Sequence, residues 1–223
     1  TRKQKEMTLM KMVYNEEEYT KHFYDILPAF KDHRYITVDG APLFLIWKPL
    51  DFPNTSAFIQ LWLNLAKENG LPGIHFVGLQ QNIENGNIPL HKILTRDIPS
   101  RGSRLYKEIL DNGYSAVHGR GYNRAEFLSR PLYEIVFRGI CNRLFNHHII
   151  SKCDQRDINK HLYTEEDKWE NVYPMLFPQW DRTPRGGKKA RIYTHSTPEV
   201  FGEQIDQVLN LVEHKQDEHK IIF

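Results

Sequence analysis

The sequence predicts an α/β fold: a partial (β/α)8 barrel of the TIM type that contains about the C-terminal five βα units. Short apolar runs alternate with amphipathic helical segments at spacings that suit βα units. The run 43–47 is apolar at every position, which is typical of a parallel strand that is covered on both faces. The alternative, an open doubly wound sheet, predicts a phosphate-binding glycine turn, and no G-x-G-x-x-G or Walker A spacing is present.

Turn and capping signals separate the elements in the first half of the chain. Asn15 is a typical N-cap residue, because the glutamates that follow it suit the first turn of a helix. Asp39-Gly40 is typical of a tight hairpin turn, and Asn69-Gly70 of a helix end. In chain order, we predict a helix that Pro28 ends or bends, strands over 35–38 and 43–47, a helix capped by Thr55 or Ser56, a strand over 74–79, a loop over 80–99 and a helix over 103–112.

The second half continues the alternation of strands and helices. Ser196-Thr197-Pro198-Glu199 is a strong helix start, with a hydroxyl cap, a proline in the first turn and an early acid. Residues 149–153 fit either a strand or a helix end. The remaining predicted elements are a strand over 114–117, helices over 122–150 with a break at Pro131, a short acidic segment over 165–170, a strand over 172–177, an extended pair at 192–193 and a strand that begins at 220–223.

The number of repeats is small for a closed barrel. An eight-stranded barrel needs about 250 residues, and this chain of 223 residues contains about four or five βα repeats. A half-barrel alone would leave long apolar strand edges unpaired. We therefore expect residues 1–223 to be a single, incomplete barrel domain that belongs to a larger protein.

Composition argues against several classes of function. The 30 basic and 28 acidic residues nearly cancel, so the whole chain has no electrostatic footprint for nucleic acid or for an anionic membrane. No apolar run approaches the ~20 residues of a membrane span. Cys141 and Cys153 make no disulfide framework, which indicates a reducing compartment, and we expect the cytoplasm. Although His147 and His148 lie between them, the cysteines are too far apart for a typical zinc site, so we expect neither metal nor cofactor.

The most informative loop follows the predicted strand 172–177. Trp180 offers a flat apolar face, and Asp181 can accept hydrogen bonds from two vicinal hydroxyls. Arg182 and Arg185 offer planar guanidinium groups for an anion. Ligand sites on parallel sheets lie in such loops, so the set suits a sugar or a sugar phosphate. The alternative is a surface turn in which Asp181 forms a salt bridge with one of the arginines.

Other candidate residues also follow predicted strands. Lys48 and Gln80 come after two buried strands and could contact a ligand. His118 could hydrogen-bond a sugar hydroxyl or act as an acid or base near neutral pH. Tyr122 could stack on a sugar ring, or could simply start the next helix. His195 precedes a helix N-terminus, which is a natural anion site. For each of them an ordinary loop or core role is the alternative.

Two blocks of residues match a known family. They are Phe177-Pro178-Gln179-Trp180-Asp181-Arg182-Thr183-Pro184-Arg185 with His195-Ser196-Thr197-Pro198-Glu199-Val200-Phe201, and Phe30-Lys31-Asp32, Arg34-Tyr35, Val38-Asp39-Gly40, Pro42-Leu43-Phe44-Leu45-Ile46 and Lys48-Pro49. In these blocks the chain resembles the WbsX-like glycosyltransferase family, which is also described as glycoside hydrolase family 99-like. The resemblance covers nearly the whole chain and is weaker over 80–110.

This resemblance implies a (β/α)8 barrel that forms or cleaves glycosidic bonds in bacterial surface-polysaccharide or lipopolysaccharide biosynthesis. Its partner would be an oligosaccharide or an activated sugar, with no metal and no nucleotide-binding fold. In hydrolase relatives, paired carboxylates lie in a terminal N-E-W-x-E-G-like motif, and glycoside cleavage usually needs two carboxyl groups. This chain lacks that motif, so we expect the catalytic pair beyond Phe223. The loop acids Asp51, Glu84 and Asp181 form no recognisable pair.

The sequence leaves three functional hypotheses. The first is a carbohydrate-active enzyme that either transfers or hydrolyses a glycosyl group. The second is a glycan-binding module without catalysis, and the third is a structural partner in a polysaccharide assembly complex. A structural partner would expose a large apolar patch. The sequence does not determine the sugar donor, the acceptor, the stereochemistry or the oligomeric state.

Overall fold

A computed structural model describes residues 13–51, 53–79, 95, 102–119, 121–145, 150–181, 183–187 and 190–223. The helices are α1 (Glu16–Phe30), α2 (Thr55–Glu68), α3 (Gly102–Asp111), α4 (Tyr122–Leu128), α5 (Leu132–Phe145), α6 (Gln155–Leu162), α7 (Thr183–Gly186) and α8 (Pro198–Val212). The strands are β1 (Thr37–Val38), β2 (Ala41–Trp47), β3 (His75–Leu79), β4 (Ala116–His118), β5 (Ser151–Asp154), β6 (Val172–Tyr173) and β7 (Arg191–Thr194), and single 3-10 turns cover Glu165–Lys168 and Asp217–His219.

The larger sheet is curled, and four of its five strands run parallel. Its order is β1-β2-β3-β4-β6, and only β1 is antiparallel to its neighbour. One row of paired residues crosses the parallel strands: Trp47 pairs with Leu79, Leu79 with His118, and His118 with Tyr173. We call the edge next to this row the carboxyl edge. The strands lie side by side in chain order, as in a singly wound barrel, whereas a doubly wound sheet reverses its order at a switch point.

The first three helices cover one face of this sheet, which we call the convex face. Trp62 of α2 and Phe23 of α1 are fully buried there, beside Phe76 of β3 and Ile109 of α3. The indole N–H of Trp62 donates a hydrogen bond to the carbonyl oxygen of Tyr19 at 3.0 Å, so the polar atom of this core side chain is satisfied. Packing on the convex face fixes the curled sheet as a scaffold for its carboxyl edge.

The opposite, concave face has a smaller core. Leu43, Val77, Ala116 and Tyr173 form it, and Ile221 and Phe223 pack against it. The N–H of Leu176 donates to the carbonyl of Phe223 at 2.7 Å, and the N–H of Phe223 donates to Pro174 at 3.0 Å. This is the bonding pattern of a parallel ladder, so the last described residue extends the sheet beside β6.

The prediction that the run 43–47 is covered on both faces is wrong. Side chains alternate along a strand, so Leu45 and Trp47 share the concave side with Leu43. They are 38% and 60% exposed. Within the described residues, the concave face is therefore open at the carboxyl end of β2, which leaves the indole ring of Trp47 accessible there.

The chain that follows β4 and the chain that follows β6 pack together at the carboxyl edge. We call this unit the edge lobe and define it as α4, β5, α6, β7 and the loop 174–181, which we call the site loop. Its core consists of Ala125, Cys153, Ile158, Leu162, Phe177 and Tyr193. Strands β5 and β7 pair in parallel, and the N–H of Tyr193 donates to the carbonyl of Trp180 at 3.3 Å. The site loop is thus attached to β7.

Local signals placed most elements correctly, with some differences at their ends. Asn15 caps α1 by accepting from the N–H of Glu18 at 2.8 Å, but α1 continues through Pro28 to Phe30. Helix α2 begins at Thr55, and its N-cap is Asn54 in a left-handed conformation, not Thr55 or Ser56. The predicted loop 80–99 lies outside the described residues apart from position 95.

Two further differences concern the edge lobe. The predicted strand 172–177 is regular only over Val172–Tyr173. Beyond it, Pro174 and Leu176 bond to the backbone of Phe223, and the backbone of Phe177 bonds to the side chains of Gln204 and Gln155. Helix α6 was not predicted, since most of its residues are polar. Its N-cap is Asp154, which accepts from the N–H of Arg156 at 3.0 Å. The segment 149–153 was left undecided by the sequence, and its last three residues belong to β5 (Ser151–Asp154).

Two glycines provide a paired test of this packing. A methyl group added at Gly121 would overlap the backbone carbonyl oxygen of Leu162, so α4 and α6 would have to separate. We expect Gly121→Ala to lower the free energy of unfolding by about 2–3 kcal/mol. Gly139 lies within α5, and nothing lies within 4 Å of a methyl group added there. Gly139→Ala should therefore raise the free energy of unfolding by about 1 kcal/mol. Denaturant titration measures both changes, and equal effects of the two substitutions would contradict the packing described.

Candidate functional site

Trp47 and His118 lie in the row of residues along the carboxyl edge. Trp47 ends β2 with its ring largely exposed, and sequence reasoning missed it because it reads as the last residue of a buried run. His118 ends β4 and is buried. Its Nδ1 lies 3.4 Å from the carbonyl oxygen of Tyr173, and its ring centroid lies 4.5 Å from that of Phe223. His118 is therefore fixed in place by the neighbouring strand and by the end of the described chain.

Lys48 follows Trp47 directly and has a left-handed backbone conformation, with φ of 62°. Its Nζ lies 3.1 Å from a carboxylate oxygen of Asp51, and both side chains are exposed. An exposed pair of this kind contributes at most about 1 kcal/mol to stability, so a ligand anion can compete for the lysine. The loop acid Asp51 is thus a partner of Lys48.

The site loop presents Trp180 and Asp181 on the surface of the edge lobe. Trp180 is 48% exposed. One carboxylate oxygen of Asp181 accepts the N–H of Thr183 at 2.7 Å, and this hydrogen bond to the backbone lowers the pKa of the Asp181 carboxyl. Asp181 is therefore ionised at neutral pH. Within the described part of the chain it forms no ion pair with Arg185, which is exposed on α7.

Two other candidates occupy structural positions in the edge lobe. The ring of Tyr122 stacks on Phe177 with a centroid separation of 5.1 Å and an interplanar angle of 3°, so one of its faces is covered. His195 follows β7 with φ of 56°, and its Nδ1 lies 3.0 Å from a carboxylate oxygen of Asp154 at the end of β5. The hydrogen bond from Arg156, together with His195 nearby, holds the pKa of Asp154 at about 2.

The structure therefore divides the predicted site residues into two groups. Lys48 and His118 lie at the carboxyl edge of the large sheet, beside Trp47. The group in or next to the edge lobe consists of Trp180, Asp181, Arg185, Tyr122 and His195. Gln80, Arg182 and Glu84 lie outside the described residues.

Three buried amide side chains hold the start of the site loop. Gln204 of α8 accepts the N–H of Phe177 at 2.6 Å through Oε1 and donates to Asn159 Oδ1 at 2.8 Å through Nε2. Gln155 donates to the carbonyl of Phe177 at 3.2 Å and to the same Asn159 oxygen at 3.1 Å. Asn159 donates in turn to the carbonyl of Val200 at 3.0 Å. The loop thus leaves β6 in a direction set by α6 and α8.

A buried carboxylate joins α4 to β7 in the same lobe. Glu126 is 1% exposed and accepts hydrogen bonds from the guanidinium of Arg191 and from the hydroxyl of Tyr193. Arg130, one turn further along the chain, lies 3.8 Å from the Glu126 carboxylate. Since these partners compensate its charge, Glu126 acts as a structural anchor.

A buried acid with a raised pKa lies on the other side of the sheet. Burial raises the pKa of the Asp167 carboxyl to about 6. One of its oxygens accepts from the N–H and the hydroxyl of Thr164, at 2.7 and 3.2 Å. A side chain on Gly119 would meet Asp167 together with Val172, which belongs to the convex core. Asp167 therefore does not face the concave side on which Trp47 and His118 lie.

A second polar cluster, which includes Tyr173 and His75, lies near His118 on the concave side. The Tyr173 hydroxyl lies 2.9 Å from Nε2 of His75, the first residue of β3. His219 lies 3.3 Å from a carboxylate oxygen of Asp39, with its ring centroid 6.0 Å from that of His75. Burial, and then the nearby His219, lower the pKa of His75 to about 4. His75 is therefore neutral at physiological pH.

Within the described ranges, no three His, Cys, Asp or Glu side chains are grouped as metal ligands. His147 and His148 lie outside these ranges. None of the described helices is both long enough and apolar enough to span a bilayer.

Comparison with protein families decides the assignment. The family model described as "Glycosyltransferase WbsX" matches residues 1–223. The chain belongs to the WbsX glycosyltransferase family. This family is the one that the two sequence blocks indicated.

Curated relatives of this WbsX-family chain come from Xanthomonas campestris pv. campestris. Two strains of this organism, one of them strain B100, have a protein named "Uncharacterized protein WxcX" that is 23% identical to the chain over 200 residues. The match covers 86% of this chain and 24% of each relative. The WbsX-family chain thus spans about a quarter of their length. No solved structure matches it significantly.

The amide network can be tested with two substitutions on α8. Gln204→Leu removes both hydrogen-bonding groups and leaves the N–H of Phe177 without its acceptor. We expect the free energy of unfolding to fall by about 2–4 kcal/mol, because buried polar groups lose their partners. Gln207→Leu changes an exposed glutamine on the same helix and should alter it by less than about 0.5 kcal/mol. Denaturant titration measures both, and a Gln204→Leu variant as stable as Gln207→Leu would refute the role of the network.

The lowered pKa of His75 predicts a pH dependence of stability. An unfolded chain binds a proton at this imidazole below about pH 6.5, whereas the folded chain does so only below about pH 4. Stability contributed by the neutral ring is therefore present above pH ~6.5 and is lost as the pH falls towards 4. We expect the stability difference between wild type and His75→Gln to shrink by about 2 kcal/mol between about pH 7.5 and about pH 4.5. Titrating groups that do not interact with His75 cancel in this difference, and a constant difference would contradict the assignment.

Proposed function

We propose that this chain is the carbohydrate-binding part of a WbsX-family (β/α)8 barrel. The whole protein would form or cleave glycosidic bonds in the biosynthesis of bacterial surface polysaccharide, such as lipopolysaccharide. Family membership supports the carbohydrate theme. The observation that carries the proposal for this chain is the position of its exposed tryptophans.

The chain has four tryptophans, and they divide by exposure. Trp62 is buried in the convex core, and Trp169 is partly buried against it. Trp47 and Trp180 are exposed, and both lie past the middle of the sheet towards its carboxyl edge: one ends β2, and the other lies on the site loop after β6. Exposed indole rings in loops at this edge are suited to stack on the apolar faces of sugar rings.

A charged residue directly follows each of the two exposed tryptophans in the sequence. The ammonium of Lys48 follows Trp47, and the ionised carboxylate of Asp181 follows Trp180. A carboxylate accepts hydrogen bonds from sugar hydroxyls, while a lysine donates them or contacts a phosphate. Each pair thus combines an apolar surface with a charged hydrogen-bonding group, which is the combination that a sugar or a sugar phosphate requires.

Catalysis at a glycosidic bond needs carboxyl groups in addition to the tryptophans and their charged neighbours. Glycoside cleavage usually uses two carboxyl groups on either side of the bond. Of the loop acids in the described ranges, Asp51 pairs with Lys48 and Asp181 bonds to Thr183, and they follow different strands. We therefore propose that the catalytic pair comes from another part of the whole protein. The same observation favours the second candidate function, a glycan-binding module without catalysis.

Substitutions of the two exposed rings test the binding role. We expect Trp47→Ala and Trp180→Ala each to weaken oligosaccharide binding by about ten-fold, the loss of roughly one stacking contact. Tyr24→Ala is the matched control, because Tyr24 is exposed on α1, away from the carboxyl edge. Isothermal titration calorimetry with ligands found by glycan-array screening measures the affinities. If both tryptophan variants remain folded and bind like wild type, the proposed site is wrong.

Product analysis separates the two candidate functions. The full-length protein is incubated with a panel of oligosaccharides and with activated sugars. Release of free reducing sugar supports a hydrolase, and an elongated glycan supports a transferase. Binding without turnover supports the module instead.

A further inference from the structure

A polar cleft lies between α6 and α8, and the proposed function does not yet use it. We call it the α6–α8 cleft. It has a volume of about 460 Å³, and its walls come from Asp154 and the residues of α6 that follow it, and from Glu203 and Gln207 of α8. The lining consists of three acids, two basic residues and two amides. A cleft of this size and polarity can hold a small hydrophilic molecule or part of a longer one.

Asp154 connects the α6–α8 cleft to the site loop. It lines the cleft at the end of β5, and its Oδ2 lies 3.0 Å from Nδ1 of His195, which follows β7. Strand β7 in turn bonds to the site loop, where the N–H of Tyr193 donates to the carbonyl oxygen of Trp180 at 3.3 Å. The site loop, β7 and β5 thus lie side by side, and the cleft continues the surface that begins at Trp180.

The inner wall of the cleft is held by the same amides as the site loop. Asn159 lines the cleft and is only 5% exposed. Its Oδ1 accepts from Gln155 and Gln204, which bind the backbone of Phe177 at the start of the site loop. A ligand that spans the loop and the cleft would therefore meet one preorganised surface, which lowers the entropic cost of binding.

The charges of the lining favour a ligand without negative charge. Arg156 donates to both oxygens of the Asp154 carboxylate, at 3.0 and 2.6 Å, and Nζ of Lys160 lies 2.7 Å from Asp157. Both basic residues are thus neutralised by acids of the same cleft. The third acid, Glu203, is exposed and forms no ion pair within the described ranges. An anionic ligand would be repelled by this carboxylate, whereas a neutral hydroxyl group can donate to it.

We propose that the α6–α8 cleft binds outer, neutral sugar units of an oligosaccharide whose first unit stacks on Trp180. The inference rests on the proposed function and adds to it that the ligand is a glycan chain rather than a single sugar. Glu203 and Gln207 are neighbours on one face of α8, so their carboxylate and amide can bond adjacent hydroxyl groups of one ring. The rest of the whole protein is less suited as the occupant, because charged residues are depleted in the core of protein interfaces.

The dependence of affinity on glycan length tests this inference. The probes are the disaccharide and the hexasaccharide of the neutral series that array screening finds to bind the full-length protein. We expect wild type to bind the hexasaccharide at least about ten-fold more tightly, as measured by isothermal titration calorimetry. Glu203→Ala combined with Gln207→Ala should remove most of this difference, because the outer sugar units lose two hydrogen-bonding partners. Its affinity for the disaccharide should equal that of wild type.

Asp206→Ala is the matched control, because Asp206 is an exposed acid of α8 that does not line the cleft. It should keep the preference of wild type for the hexasaccharide, and circular dichroism checks that every variant is folded. The inference alone is overturned if Trp180→Ala weakens binding but wild type binds both glycans equally, or if the double variant keeps the preference shown by Asp206→Ala. If wild type binds no glycan, or if Trp180→Ala binds like wild type, the proposed function is overturned together with this inference.

Discussion

The position of the candidate site depends on how the chain is held where it leaves β6. The N–H and C=O of Phe177 are bound by Gln204 and Gln155, and both glutamines share an oxygen of Asn159. Buried backbone groups that form no ladder hydrogen bond must be satisfied by other partners. These amides do so, and they come from α6 and α8, so the helices of two separate chain segments determine where Trp180 and Asp181 are presented.

The curled sheet presents the other group of candidate residues. Its parallel register aligns Trp47, Leu79, His118 and Tyr173 in one row, and side-chain alternation turns them to the concave side. In the part of the chain that the structure describes, neither the helices on the convex face nor the edge lobe covers the end of β2. An exposed indole at the end of an otherwise buried strand contributes little to stability, since its apolar surface stays in water. A ligand that stacks on the ring removes that surface from water.

Local signals in the sequence predict much of the fold, and non-local packing determines the rest. Asn15 and Thr197 have capping side chains next to their helices, and β3 is a buried apolar run, so all three could be recognised. The exposure of Trp47 could not be recognised, because an apolar run in a sequence does not show which face of the strand is covered. The role of Gln204 depends on a contact 27 residues away in the chain. The residue types of the site loop identify it in the sequence. Its attachment to α6 and α8 depends on contacts between residues that are far apart in the chain.

The central claim is that sugars bind where Trp47 and Trp180 are exposed, and the indole N–H signals of the four tryptophans test it most directly. Two-dimensional NMR during titration with an oligosaccharide ligand follows each ring separately, with assignments from single Trp→Phe variants. We predict that the signals of Trp47 and Trp180 shift saturably, while that of Trp62, bonded to Tyr19 in the convex core, stays constant. Saturable shifts confined to Trp62 or Trp169 would contradict the claim.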